Sequence, residues 1–151
     1  MNKGWIWLDM DGTIADFYGV NGWLEDLIAH RTRPYAKAKS LYNQIEIVAT
    51  LAELKKNGYN IGIISWGSKE NNIDFDNAVR EVKMKWLYEN LFDMVLDEVI
   101  VTAYGIRKAD TCRVYGKGIL VDDEKQNRDA WDLGKTIDAN KNIIAELKTL
   151  L

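Results

Sequence analysis

The sequence has one cysteine, one histidine and one proline among its 151 residues. Cys112 can form no internal disulfide, and nothing points to an oxidising compartment. His30 is read as a surface residue rather than a catalyst. Basic residues are not in excess: 20 Lys and Arg stand against 23 Asp and Glu, a net charge of −3. That balance leaves no electrostatic footprint for non-specific nucleic-acid binding and no basic stripe to track a strand. It does not exclude a nucleotide, which needs only one local cationic pocket. No apolar run approaches membrane-spanning length, and no signal peptide pattern precedes the first apolar segment, so a cytoplasmic protein is expected. Repeats, low-complexity tracts and a glycine-rich dinucleotide fingerprint are also missing. At this length, residues 1–151 are expected to form one domain with a sizeable core.

What is present is concentrated in Trp5–Thr13, where an apolar run ends in two carboxylates and a glycine. Trp5, Ile6, Trp7 and Leu8 read as a strand apolar on both faces, the pattern of a parallel strand covered by helices on either side. Asp9 and Asp11 then fall at its C-terminal end, where open α/β sheets place their ligands, with Met10 turned away between them. Gly12 permits a sharp turn, and Thr13 offers a hydroxyl and an amide to an anion. Two carboxylates this close repel each other unless a cation or a shared proton relieves them. Oxygen-only ligation points to Mg²⁺.

Residues 17–38 are glycine-punctuated and aromatic at first, then a short helical patch over Trp23–Ile28, then cationic from His30 to Arg33. They read as a small insertion beside the first strand. Leu41, Ile45, Val48 and Ala52 recur at helical spacing, with Ile47, Leu51 and Leu54 as a second row, and Lys55–Gly58 ends that helix. Ile61–Ile64 is a second buried strand that stops at Ser65. Asn71, Asn72 or Asp74 caps the next helix, whose face is Phe75, Val79, Val82 and Trp86; residues 92–95 are ambiguous between helix end and extended chain. Val99–Val101, Gly118–Val121 and Thr136–Asp138 are further strands, and Ile143, Leu147 and Leu150 mark a closing helix with Asn140 as its cap. The alternation predicts an α/β, Rossmann-like parallel five-stranded sheet with helices on both faces and a small helical insertion after the first strand.

Three strand ends thus deliver polar groups to one sheet edge: Asp9 and Asp11, then Ser65, then Asp122 and Asp123, with Lys108 upstream of the last pair. In this order they resemble the four motifs of the haloacid dehalogenase superfamily of phosphohydrolases, over Trp5 to Trp131. The insertion after the first motif, and Val121-Asp122-Asp123-Glu124 followed by Asn127, Arg128 and Trp131, resemble the 5′(3′)-deoxyribonucleotidases and related small phage and bacterial phosphatases. The resemblance implies that residues 17–38 form a cap, that Asp9 is a nucleophile forming an aspartyl-phosphate, and that Asp11 is the general acid and base. It implies Mg²⁺ held by Asp9, the backbone carbonyl of Asp11 and Asp122, with Asp123 orienting a metal-bound water. Ser65 and the amides of Trp66 and Gly67 would grip phosphoryl oxygens. Lys108, preferred over its rival Lys69, would neutralise their charge.

The expected substrate is a small phosphorylated molecule, a nucleoside or deoxyribonucleoside monophosphate if Phe17, Tyr18 or Trp66 stacks a base. Arg31 and Arg33 are expected either at a second phosphate or base edge or in water. Trp23 is read as packing, and Arg128 as part of a structural ion pair. A general small-molecule phosphatase, a phosphotransferase and a non-catalytic phospholigand-binding module are the rival readings.

Overall fold

Strand β1 (Gly4–Leu8) forms because its residues can be buried on both sides: Ile6, Trp7 and Leu8 are all fully buried. In the computed structural model, which describes residues 2–91 and 95–151, β1 is the middle strand of a five-stranded parallel sheet. The ambiguous residues 92–94 lie outside the described ones. Along the chain β1 is followed by β2 (Ala15–Asp16), α1 (Trp23–Ile28), α2 (Arg33–Lys37), β3 (Lys39–Ser40), α3 (Gln44–Lys56), β4 (Tyr59–Trp66) and α4 (Ile73–Leu91). Then come β5 (Glu98–Thr102), α5 (Lys108–Cys112), a 3₁₀ turn at Arg113–Tyr115, β6 (Gly118–Asp122), α6 (Lys125–Asp129), β7 (Thr136–Asp138) and α7 (Ile143–Lys148).

The strand order is β5-β4-β1-β6-β7, with every neighbouring pair parallel. The chain runs outward from β1 to β5, then returns to the other side of β1 for β6. The order therefore reverses between β1 and β6, and the crevice at that reversal is where such sheets bind ligands. Alternate residues of β1 face opposite layers. Ile6 and Leu8 join Leu51, Leu54, Trp86 and Leu147 on one side, whereas Trp7 joins Ile64, Ala109, Cys112 and Trp131 on the other. Each fully buried aliphatic or aromatic side chain contributes about 1.5–3 kcal/mol, so the two layers together fix the register of β1. Burial also pushes the Cys112 thiol up to about 12, as suits an inert core residue.

Two expectations need correction. Leu41 precedes α3 and Ile45 is 78% exposed, so the face that packs on the sheet is the second row, Ile47, Leu51 and Leu54, with Val48 and Ala52 half-buried at its edge. The cap of α7 is Asn142, whose side chain accepts from the amides of Ile144 and Ala145. Asn140 instead donates to the Asp123 carbonyl at 2.8 Å and so braces the loop after β6. Asn72 caps α4, accepting from the Phe75 amide.

β2 and β3, each of two residues, pair antiparallel with Ala15 opposite Ser40 and Asp16 opposite Lys39. They tie together the two ends of the 17–38 segment. Within it Phe17 and Tyr35 pack on Phe75 and Val79 of α4, with Trp23 and Leu27 against them.

Candidate active site

Asp9 follows β1, and its amide donates to the Val121 carbonyl, tying the end of β1 to the neighbouring strand that carries Asp122. Its carboxylate has two tethers: Oδ1 accepts from Lys108 Nζ at 3.0 Å, and Oδ2 from the Thr13 hydroxyl at 3.1 Å. Lys108, on the first turn of α5, also reaches Asp122 Oδ2 at 2.7 Å. Burial opposes its charge, but the Asp9 and Asp122 carboxylates outweigh that and hold Lys108 above the ordinary lysine range. Lys69, by contrast, stands over the Tyr104 ring at the rim of the cavity.

Asp122 is wholly buried, and its oxygens also accept from Asn127 Nδ2 at 3.1 Å and the Glu124 amide at 2.9 Å. Asp123 faces the cavity, with Oδ1 3.3 Å from the Thr13 hydroxyl oxygen. Carboxylate oxygens of Asp9, Asp122 and Asp123 all lie within 4.8 Å of one another. An all-oxygen trio of this size suits a hard divalent cation. The crowding shows in the acidities. Burial, then the nearby Asp9, pushes Asp123 up to about 8. Burial raises Asp122 in the same way, with Asp9 adding to it.

Asp11 is one-fifth exposed, and burial raises its pKa above the ordinary carboxylate value against the pull of a second lysine. That lysine, Lys83, escaped the sequence reading. Its Nζ lies 3.1 Å from Asp11 Oδ2, 2.7 Å from Ser65 Oγ and 2.8 Å from the Trp66 carbonyl. A signal was there: Phe75, Val79 and Lys83 follow one another at intervals of four on the buried face of α4.

Above these groups lies a cavity of about 400 Å³ lined by Asp9, Asp11, Ser65, Lys108 and Asp123 and walled by aromatic rings. Phe17, Tyr18, Trp23, Tyr35, Trp66 and Tyr104 supply those rings. Of the expected substrate contacts, Phe17 is buried against Tyr35 and Trp23, whereas Tyr18 is half exposed. Trp23 packs against Phe17 and Tyr18, as expected, and lines the cavity as well. Trp66 is pinned by a 2.7 Å bond from Nε1 to the Ile106 carbonyl, with its ring edge-to-face with Tyr104.

Other expected contacts are not assembled. The Gly67 amide donates to the Thr102 carbonyl at 2.7 Å, and the next amide, of Ser68, donates to Asp76, so neither is free for an anion. Arg31 and Arg33 do not line the cavity. Both bind the buried carboxylate of Asp26, at 3.0 and 2.6 Å, and Arg33 also reaches the Asn21 carbonyl. Arg128 makes the expected structural pair, with the Asp122 carbonyl and Asp138. His30 is a partly exposed residue stacked on Phe75.

No family model matches the chain, and no curated protein matches it. Solved structures do match it, among them two phosphatases. The D,D-heptose 1,7-bisphosphate phosphatase from Burkholderia thailandensis superposes with a TM-score of 0.58 at 10% identity, over 98% of each chain. The D,D-heptose 1,7-bisphosphate phosphatase from B. bronchiseptica, complexed with magnesium and phosphate, does so with a TM-score of 0.56 at 12% identity, over the whole of both chains. The chain shares the fold of these phosphatases. Among the described residues no helix is long and apolar enough to cross a membrane.

Proposed function

We propose that this protein is a Mg²⁺-dependent phosphomonoesterase of the haloacid dehalogenase type, acting on nucleoside monophosphates. The observation that carries the reading is the meeting of Asp9, Asp11, Ser65 and Lys108 on one cavity at the sheet reversal, beside a carboxylate trio. The shared fold with phosphatases supports the same reaction class.

Asp9 is the nucleophile: an oxygen of its carboxylate attacks phosphorus, and the bond to the leaving oxygen breaks as Asp11 gives that oxygen its proton. Asp11, now ionised, takes a proton from water, whose oxygen attacks phosphorus and frees Asp9 and inorganic phosphate. Thr13 and Lys108 keep the Asp9 carboxylate from turning. Lys108 also spreads positive charge toward the phosphoryl oxygens, and Ser65 donates to one of them. The carbonyl of Asp11 and the carboxylates of Asp9 and Asp123 would hold the metal, which would offset charge on the phosphoryl group. The engagement of both Asp122 oxygens by Lys108, Asn127 and an amide favours Asp122 as the anchor of Lys108, and leaves Asp123 for the metal. With Asp11 holding the proton it gives to the leaving oxygen, the Asp9, Asp122 and Asp123 carboxylates still outnumber the two ammonium groups, an excess of negative charge that a divalent cation would relieve.

The residues at 17–38 act as the cap. The aromatic walls favour a planar leaving group, since stacking one base contributes about 1–3 kcal/mol. A second phosphate, such as the neighbours' bisphosphate carries, would find Arg31 and Arg33 already occupied by Asp26.

The test is phosphate release from nucleoside 5′- and 3′-monophosphates, sugar monophosphates and sugar bisphosphates, with Mg²⁺ and with EDTA. Release that needs Mg²⁺ and ranks nucleotides first is expected. Preference for sugar phosphates would remove the nucleotide assignment, and no release from any ester would remove the esterase.

A further inference from the structure

Lys83 is 99% buried, and an ammonium group is seldom placed there unless each of its protons has a partner. Here each has one: the Asp11 carboxylate, the Ser65 hydroxyl and the Trp66 carbonyl. The Tyr35 ring, from α2 of the 17–38 segment, covers the group with its centroid 5.1 Å from Nζ. With its three protons spent, Lys83 has none left for a bound molecule. Any effect it has on a ligand must pass through its partners.

The partner that matters most is Ser65. A hydroxyl has one proton to give and two lone pairs, whereas an ammonium group can only donate. In the 2.7 Å contact Ser65 Oγ is therefore the acceptor, and its own proton must point elsewhere. Among the described residues that proton has no acceptor, and Ser65 lines the cavity beside Asp9 and Lys108.

We propose that Lys83 is a positioning residue that commits the Ser65 hydroxyl to donate into the cavity, toward an oxygen of a bound phosphoryl group. Without Lys83 the hydroxyl is free to turn, and the cavity loses a preset donor. The same ammonium holds Asp11 beside it, so the hydroxyl and the carboxylate are oriented by one group. The proposal rests on the phosphoesterase reading of the site, and extends it to a residue on α4.

Binding of inorganic phosphate in the presence of Mg²⁺, measured by calorimetry, tests this in the wild type, Lys83→Met, Ser65→Ala and the double variant. Each single change is expected to loosen phosphate about tenfold, as for a lost hydrogen bond to a charged group, and the double variant to be no weaker than either. Lys83→Arg, whose head also only donates, is expected to stay within about threefold of wild type. Unchanged phosphate affinity in Lys83→Met, or losses that multiply to about a hundredfold in the double variant, would overturn the proposal. A second measurement does not depend on the variants folding. In wild-type protein labelled with ¹⁵N-lysine, the Lys83 ammonium signal is expected to shift on saturation with phosphate, and no shift overturns the coupling. Failure of this role is distinct from failure of the esterase. Normal phosphate release with unmoved phosphate affinity in Lys83→Met removes only the Lys83 role, whereas coupled phosphate binding in a wild type that releases none removes only the esterase.

Discussion

Gly12 and Asp123 pack so closely that a Cβ placed on Gly12 would lie 2.9 Å from the Asp123 carboxylate carbon. Gly12 also has φ of +82°, a conformation side chains resist. Gly12→Ala is therefore expected to displace Asp123 and weaken Mg²⁺ binding about 10–100-fold, the range for a lost supporting contact at a metal. Titration of Mg²⁺ by calorimetry checks this, and an unchanged affinity would mean that Asp123 does not hold the ion.

The adjacent aspartates should separate by experiment. Asp123→Asn is expected to remove Mg²⁺ binding while leaving the metal-free fold intact. Asp122→Ala is expected to destabilise the metal-free protein by about 3–5 kcal/mol, since it strands the buried Lys108 ammonium with one partner fewer. Urea unfolding in EDTA, set beside Mg²⁺ titration, measures both. If Asp122→Ala leaves stability unchanged and abolishes Mg²⁺ binding, the roles are reversed.

The strand framework of this site could be read from the sequence because burial on both faces leaves a local pattern. Ile6, Trp7 and Leu8 are apolar without a break, and the carboxylates after them mark the strand end. The partners of the polar groups could not be read so easily, because those partners are distant in sequence. Arg31 and Arg33 looked available until the fold set Asp26 between them, and the Gly67 amide until Thr102 of β5 came alongside. Lys83 is hidden differently: Phe75, Val79, Val82 and Trp86 already complete an apolar helical face, so the pattern does not require a buried residue at 83. The two-residue strands β2 and β3 are too short to leave any periodicity.

The crowded carboxylates give the metal-free protein a definite pH dependence. Burial and Asp9 raise Asp123 from an ordinary carboxylate value to about 8 in the folded state. The folded protein therefore holds a proton that the unfolded chain releases near pH 4. The stability this lends is full below about pH 4 and is lost as pH rises through about 8. Asp11 and Asp122 are shifted in the same direction. In EDTA the melting temperature should fall between about pH 5 and pH 8.5, and the stabilisation by Mg²⁺ should grow over the same interval as the metal displaces the proton. A flat or rising profile in EDTA would contradict the assignment.

Gly62 on β4 sits beneath the Trp7 ring, where a Cβ would come 2.6 Å from Cε3. Gly62→Ala is expected to cost about 1–3 kcal/mol by overpacking the layer formed by Trp7, Ile64 and Leu120, with Mg²⁺ affinity unchanged. Chemical denaturation together with Mg²⁺ titration reads both quantities. A loss of Mg²⁺ affinity would show that the strain reaches the end of β1.

The central claim is that Asp9 carries the phosphoryl group, and acid-quenched turnover tests it most directly. Protein mixed with Mg²⁺ and a nucleoside monophosphate is quenched within a turnover, digested, and its peptides weighed. A phosphoryl adduct is expected on the peptide containing Asp9, and neither adduct nor phosphate release in Asp9→Asn. Phosphate release by Asp9→Asn at the wild-type rate would contradict the account.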